Sequence, residues 1–211
     1  MTLREQLKEL ADGSAQRHPG KSQDIMRSAI AQLESTDILA HALKTGDYIP
    51  KIQLSNATGT IILLNDILKE HKVVLTFYRG TWCPYCNLEL RALQHMLPQI
   101  EAKGAKLVAI SPQTPDNTLS TTQKNELTFE VLSDIGGVVA HEMNLIYKIP
   151  TALVDLYKTF NIDLTKSNGN LENELPIAAT YVVEQSGQIS YHFLAEDYKL
   201  RADPEDIIKS L

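Results

Sequence analysis

Residues 72–103, KVVLTFYRGTWCPYCNLELRALQHMLPQIEAK, constrain the fold more than any other part of this 211-residue chain. KVVLTFY is a continuous apolar run of strand length, as expected of a strand buried on both faces. From Pro84 to about Lys103 the spacing is helical, and Gly104 closes the helix. Only RGTWC separates the two. AKLVAI follows as a second strand, then SPQTPD opens a polar helix to about Asn125, and FEVLSD leads on as the next strand. ATYVVEQSGQISYHF reads as a hairpin turning at Ser186-Gly187. DPEDIIKSL is a terminal helix capped by Asp203, with Pro204 at its first position. Upstream, IQL and TIILL flank the turn signal SNATG. Strands alternating with helices imply an α/β protein whose βαβ sheet is completed by an antiparallel hairpin.

Residues 1–45 read as a helical extension ahead of a domain at 46–211. Ile25, Met26, Ala29, Ile30 and Leu33 form one apolar stripe, with Ser22 as N-cap and Gly46 as the stop. A helix packed on the domain is preferred to a lid or to a dimerisation arm, which would make a homodimer. LTKSNGNLENEL is the one long polar loop. The chain is 43% hydrophobic and 22% charged with a net charge of −6, an ordinary globular composition. No basic run supports a nucleic-acid or membrane-surface partner. No apolar stretch reaches the ~18 residues of a spanning helix. MTLREQLKELADGSA is broken by charges and is not a signal peptide. The expected location is therefore cytoplasmic, where thiols stay reduced and a disulfide is transient or catalytic.

The chain's two cysteines, Cys83 and Cys86, both lie at the strand–helix junction. Pro84 suits the first helical position, which makes Cys83 the N-cap and puts Cys86 in the first turn. Unpaired N–H groups and the positive end of the helix dipole then face both sulfurs and favour a thiolate. The spacing also permits a small disulfide ring. A structural zinc site needs four Cys or His ligands, and no second cluster exists, so no metal is expected. IGGVV lacks G-x-G-x-x-G, and no cofactor is expected. Arg79, in the same turn, either supplies positive charge to a thiolate and to the oxygen it attacks, or is a surface arginine paired with an acid. Trp82 is read as a shield for the site. Arg201, in YKLRADPED, is read as a surface residue in preference to one that reaches the site by tertiary contact, and His71, His95 and His141 as surface or core residues.

Five separated segments, GDYIPKIQLSNATG, VVLTFYRGTWCPYC, KLVAISPQTPD, LSD and TYVVEQSGQI, occur in an order that resembles the alkyl hydroperoxide reductase/thiol-specific antioxidant (peroxiredoxin) family, in its C-P-x-C branch. The resemblance covers roughly Gly46 to the C-terminus. It implies a thioredoxin-like fold, with a central mixed sheet flanked by helices. It also implies a thiol-dependent reductase of hydrogen peroxide and organic hydroperoxides, recycled by a thioredoxin- or glutaredoxin-like dithiol protein. Laid on the family pattern without gaps, Cys86 takes the attacking position and Cys83 replaces a threonine, becoming the resolving thiol. Arg79 replaces a proline. Thioredoxin's W-C-x-x-C instead matches Trp82 to Cys86 and makes Cys83 the attacking thiol. Ala178 stands where peroxiredoxins carry a catalytic arginine, so that arginine is not carried over. The alternatives are a thioredoxin-like thiol–disulfide oxidoreductase with Cys83 as nucleophile, and a non-enzymatic redox sensor.

Overall fold

The computed structural model describes residues 1–211. Three helices precede the first strand: α1 (Leu3–Arg17), α2 (Lys21–Glu34) and the single turn α3 (Ile38–His41). Thr2 starts α1 with a reciprocal capping box. Its hydroxyl accepts from the Glu5 N–H at 3.3 Å, and its own N–H donates to the Glu5 carboxylate at 2.8 Å. The expected limits of the second helix are both corrected. It starts at Lys21, after Gly20 at φ 65°, and not behind a Ser22 cap. It ends at Glu34, well short of Gly46, because Asp37 takes φ 54° and redirects the chain into α3.

The sheet strands and their connections then follow. β1 (Gln53–Asn56) and β2 (Ile61–Leu63) form a hairpin, and α4 (Leu64–Leu68) leads into β3 (Lys72–Phe77). Next come α5 (Pro84–Ala102), β4 (Ala105–Ser111), α6 (Pro115–Lys124) and β5 (Glu130–Ser133). A 3-10 turn and α7 (Val138–Glu142) precede β6 (Ile146–Lys148), α8 (Thr151–Thr159) and α9 (Leu164–Asn168). The chain ends with β7 (Glu174–Pro176), β8 (Ala178–Val183), β9 (Ile189–Ala195) and α10 (Pro204–Ser210). Two departures stand out here. The expected polar loop holds α9, capped by the Asp163 carboxylate, and β7, which pairs with β6. α8 was not anticipated at all.

Seven strands make one sheet in the order β2-β1-β5-β4-β3-β8-β9. β3, β4 and β5 are parallel, whereas β8 runs antiparallel to β3 and pairs with β9 as the expected hairpin. This is the mixed central sheet. β3 is central and buried on both faces, which explains its unbroken apolar run. Val73, Leu75 and Phe77 face a core shared with Leu64, Ile110, Leu132 and Tyr181. Val74 faces the opposite way, toward Leu93, Leu97 and Ile100 of α5 and Ile207 of α10. Thr76 shares that second face by strand alternation and so lies under α5. This geometry holds the N-terminus of α5 at the carboxyl end of β3, with both cysteines on it.

Candidate active site

The β3–α5 turn forms as its sequence suggests. Cys83 is the N-cap at φ −86° and ψ 109°, Pro84 follows in the first turn, and the Asn87 N–H closes the first helical bond on the Cys83 carbonyl at 3.1 Å. Side chains lock the turn from outside. The Asn87 amide donates to the Thr81 carbonyl at 2.8 Å and accepts from Asn125 at 3.0 Å. The Gln113 carbonyl oxygen accepts from the Thr81 N–H at 2.9 Å. Both cysteines are free thiols and neither reaches solvent.

Two arginines, one per sulfur, hold the pair. Arg79 Nη2 donates to Cys83 Sγ at 3.3 Å, and its Nη1 donates to the Tyr157 hydroxyl of α8 at 3.2 Å. The Arg79 guanidinium lies 4.0 Å from the centre of the Tyr198 ring and 5.1 Å from that of Trp82, close enough for both rings to hold its charge in place. Arg79, expected in the turn, is thus buried on the cysteines and not a surface residue. Arg201 corrects its surface reading more sharply. It is buried, and its Nη2 donates to Cys86 Sγ at 3.1 Å. Its Nη1 also donates to the Leu200 carbonyl at 2.6 Å and to that of Tyr198, and its Nε faces Glu89 Oε2 at 2.6 Å. Glu89 in turn reaches Thr76 at 3.4 Å and Thr180 at 3.5 Å on the sheet beneath.

These surroundings split the two thiols. Burial opposes ionisation of Cys83, but a hydrogen bond from Cys86 and the charges of Arg79 and Arg201 outweigh it and hold Cys83 well below the usual thiol range. Burial and the neighbouring Cys83 sulfur hold Cys86 well above that range. The surroundings thus favour the thiolate on Cys83 over Cys86. Burial raises Glu89 to about 7, against the pull of Arg201. Burial likewise raises Tyr157 to about 12, so it stays a neutral hydroxyl against Arg79.

A cleft of about 350 Å³ opens in front of Arg79 and Trp82. Its other walls come from α1, α2, the end of α8, and Tyr198. Glu89, Tyr157 and Tyr198 were absent from the residues singled out in the sequence, and Arg201 was weighed there but read as a surface residue. Only Glu89 left a local signal, as a carboxylate on the α5 face that otherwise buries Cys86, Leu90 and Leu93.

The AhpC/TSA family model matches residues 45–192. Two bacterial relatives that carry the name peroxiredoxin Bcp are similar in sequence. That of Helicobacter pylori strain J99 is 25% identical over 169 residues, 80% of this chain and 98% of the relative. That of Buchnera aphidicola is 30% identical over 103 residues, 49% of this chain and 65% of the relative, so the chain spans just under two thirds of its length. Among solved structures, peroxidoxin BcpB from Mycobacterium tuberculosis superposes with a TM-score of 0.62 at 20% identity, covering 80% of this chain and 96% of that one.

Proposed function

Because the chain belongs to the AhpC/TSA family, we propose that it works as a thiol peroxidase on hydroperoxides, with Cys83, Cys86 and Arg79 as its catalytic residues. The observation that carries the division of labour is that Arg79 both touches Cys83 and lines the open cleft. The Cys83 thiolate attacks the terminal oxygen of the hydroperoxide. The O–O bond breaks, its electron pair leaves on the alkoxide, and Cys83 becomes a sulfenic acid. The alkoxide takes up a proton and departs as the alcohol. Arg79, which held the thiolate, stabilises the negative charge as it moves onto the leaving oxygen. The Cys86 thiol then attacks the sulfenic sulfur, forming the disulfide and releasing water. A dithiol protein of the thioredoxin or glutaredoxin type restores both thiols by exchange. Such a reductant is supplied in the cytoplasm, where we place the protein. No helix is long and apolar enough to cross a membrane.

A second reading, with Cys86 attacking, is favoured by the Arg201 contact to its sulfur at 3.1 Å and by the family register. In that reading Arg201 supplies the guanidinium that Ala178 lacks. Trapping sulfenic acid with a dimedone-type reagent separates the two. We expect adduct in Cys86→Ser and none in Cys83→Ser, with turnover lost by at least about 100-fold in both. The reverse pattern transfers the attack to Cys86. Turnover that does not exceed the amount of protein, for every hydroperoxide tried, would leave a redox sensor and sink the peroxidase reading.

A further inference from the structure

The cleft is far larger than hydrogen peroxide requires. Its volume of about 350 Å³ falls within the roughly 300–1,000 Å³ typical of small-molecule sites. Leu10, Arg17 and His18 of its outer wall lie outside the matched residues 45–192, so this wall is not part of the family domain. Its surface is apolar and aromatic, with the His18 and Phe160 rings 4.4 Å apart at one side. Its ionisable lining consists of two arginines, one histidine and three tyrosines. Arg79, Arg17 and His18 face it, and no carboxylate does, in a chain of net charge −6.

The two arginines differ in one respect. Arg79 is matched by the Cys83 sulfur. Arg17, exposed in the last turn of α1, makes no ion pair, whereas Arg4, Arg27 and Arg201 do. Its guanidinium folds back along α1 over Gly13, where a Cβ would stand 3.1 Å from Nη1, so the absence of a side chain there gives it room. Asp197, the acid facing Tyr85, is taken up by Lys199 at 3.2 Å.

Resting on the peroxidase reading, we propose that this cleft selects organic hydroperoxides with a compact apolar body and an acidic group remote from the O–OH, the acid being met by Arg17. The hydroperoxide end lies toward Arg79 and Cys83. The aromatic walls cover the body, and the anion meets Arg17, the exposed arginine at the rim of the cleft.

The test compares 4-carboxycumene hydroperoxide with cumene hydroperoxide, which share one body and differ in one charge. We expect kcat/KM to favour the acid by about 3- to 10-fold at low salt, less at high salt. The ratio should fall to about one in Arg17→Gln and persist in part in Arg17→Lys. A neutral compound turned over as well as the acid, or a ratio unchanged in Arg17→Gln, overturns the proposal while leaving the peroxidase standing. Binding of the two product alcohols, followed by emission of the sole tryptophan, Trp82, gives a readout independent of turnover. If neither hydroperoxide is consumed, the peroxidase reading fails and this arm decides. The carboxylated alcohol should bind about 3- to 10-fold more tightly, and equal binding overturns the proposal.

Discussion

At the scale of single residues, the site is an exercise in charge matching among buried groups. Arg79 and Arg201 bring two positive charges into a buried space, and the Cys83 thiolate and Glu89 answer them. Glu89 is the adjustable member, since burial has lifted it to about 7. A carboxyl raised in the folded state binds its proton more tightly there than in the unfolded chain, where the value is about 4.3. Its contribution to stability is thus complete below about pH 4 and is lost as pH rises through about 7. Glu89→Gln should remove this loss. Reduced wild-type protein should lose up to about 3 kcal/mol more than the variant between pH 4.5 and 8. The variant itself should be less stable overall, because Arg201 is left without its buried partner. Denaturant melts at several pH values read both effects. Parallel pH dependence in the two proteins would show that Glu89 is ionised throughout.

The element that matters most is the β3–α5 turn, and Gly80 is its tightest point. Its φ of 148° lies in the region that L residues avoid, and a Cβ there would stand 2.5 Å from the Trp82 indole nitrogen and 3.2 Å from the Gln113 side-chain carbonyl carbon. Trp82 lies over Arg79 and walls the cleft, so moving it disturbs the charge on Cys83. Gly80→Ala should cost about 1–3 kcal/mol, change Trp82 emission, and raise the pH at which thiolate absorbance appears on reduction. An unchanged thiolate titration beside a shifted Trp82 would show that the ring does not govern the sulfur. α8 takes part at this scale too, since it carries Tyr157 to Arg79.

Across the whole molecule, oxidation changes the balance of buried charge. Closing the disulfide removes the thiolate and leaves Arg79 facing an uncharged sulfur in a fully buried setting. The ring is short, so its entropic gain from constraining the unfolded chain is small, about 2 kcal/mol by the loop-length relation. Leaving the buried Arg79 charge without its anionic partner costs about 3–5 kcal/mol. The reduced protein should therefore melt at a higher temperature than the oxidised one. Cys83 is held below its unfolded value, so this advantage is full above about pH 8.5 and shrinks as pH falls through the folded value. Thermal melts with dithiothreitol or with diamide, from pH 5 to 9, check this. An oxidised form that is more stable at pH 8 would contradict the electrostatic account of the pair.

The sequence alone determined whatever depends on neighbours along the chain. β3 and α5 show in their apolar patterns, the cysteines' place at the helix start follows from Pro84, and the β8–β9 hairpin follows from its turn. Their order also carried the family resemblance. Tertiary structure alone decided what converges on the sulfurs. Arg201 lies 115 residues from Cys86 and Tyr157 lies 78 from Arg79, and nothing local to either residue records such a contact. Arg201 read as surface because an arginine so far from the motif usually is, and it became buried because Glu89 faces its charge while the Cys86 sulfur accepts one of its hydrogen bonds. α2 ends early for a related reason: Asp37 takes a left-handed backbone that turns the chain into α3, and the stripe pattern could not anticipate it. Periodicity reports which face of a segment is apolar. It does not report which distant charge will be brought to meet it.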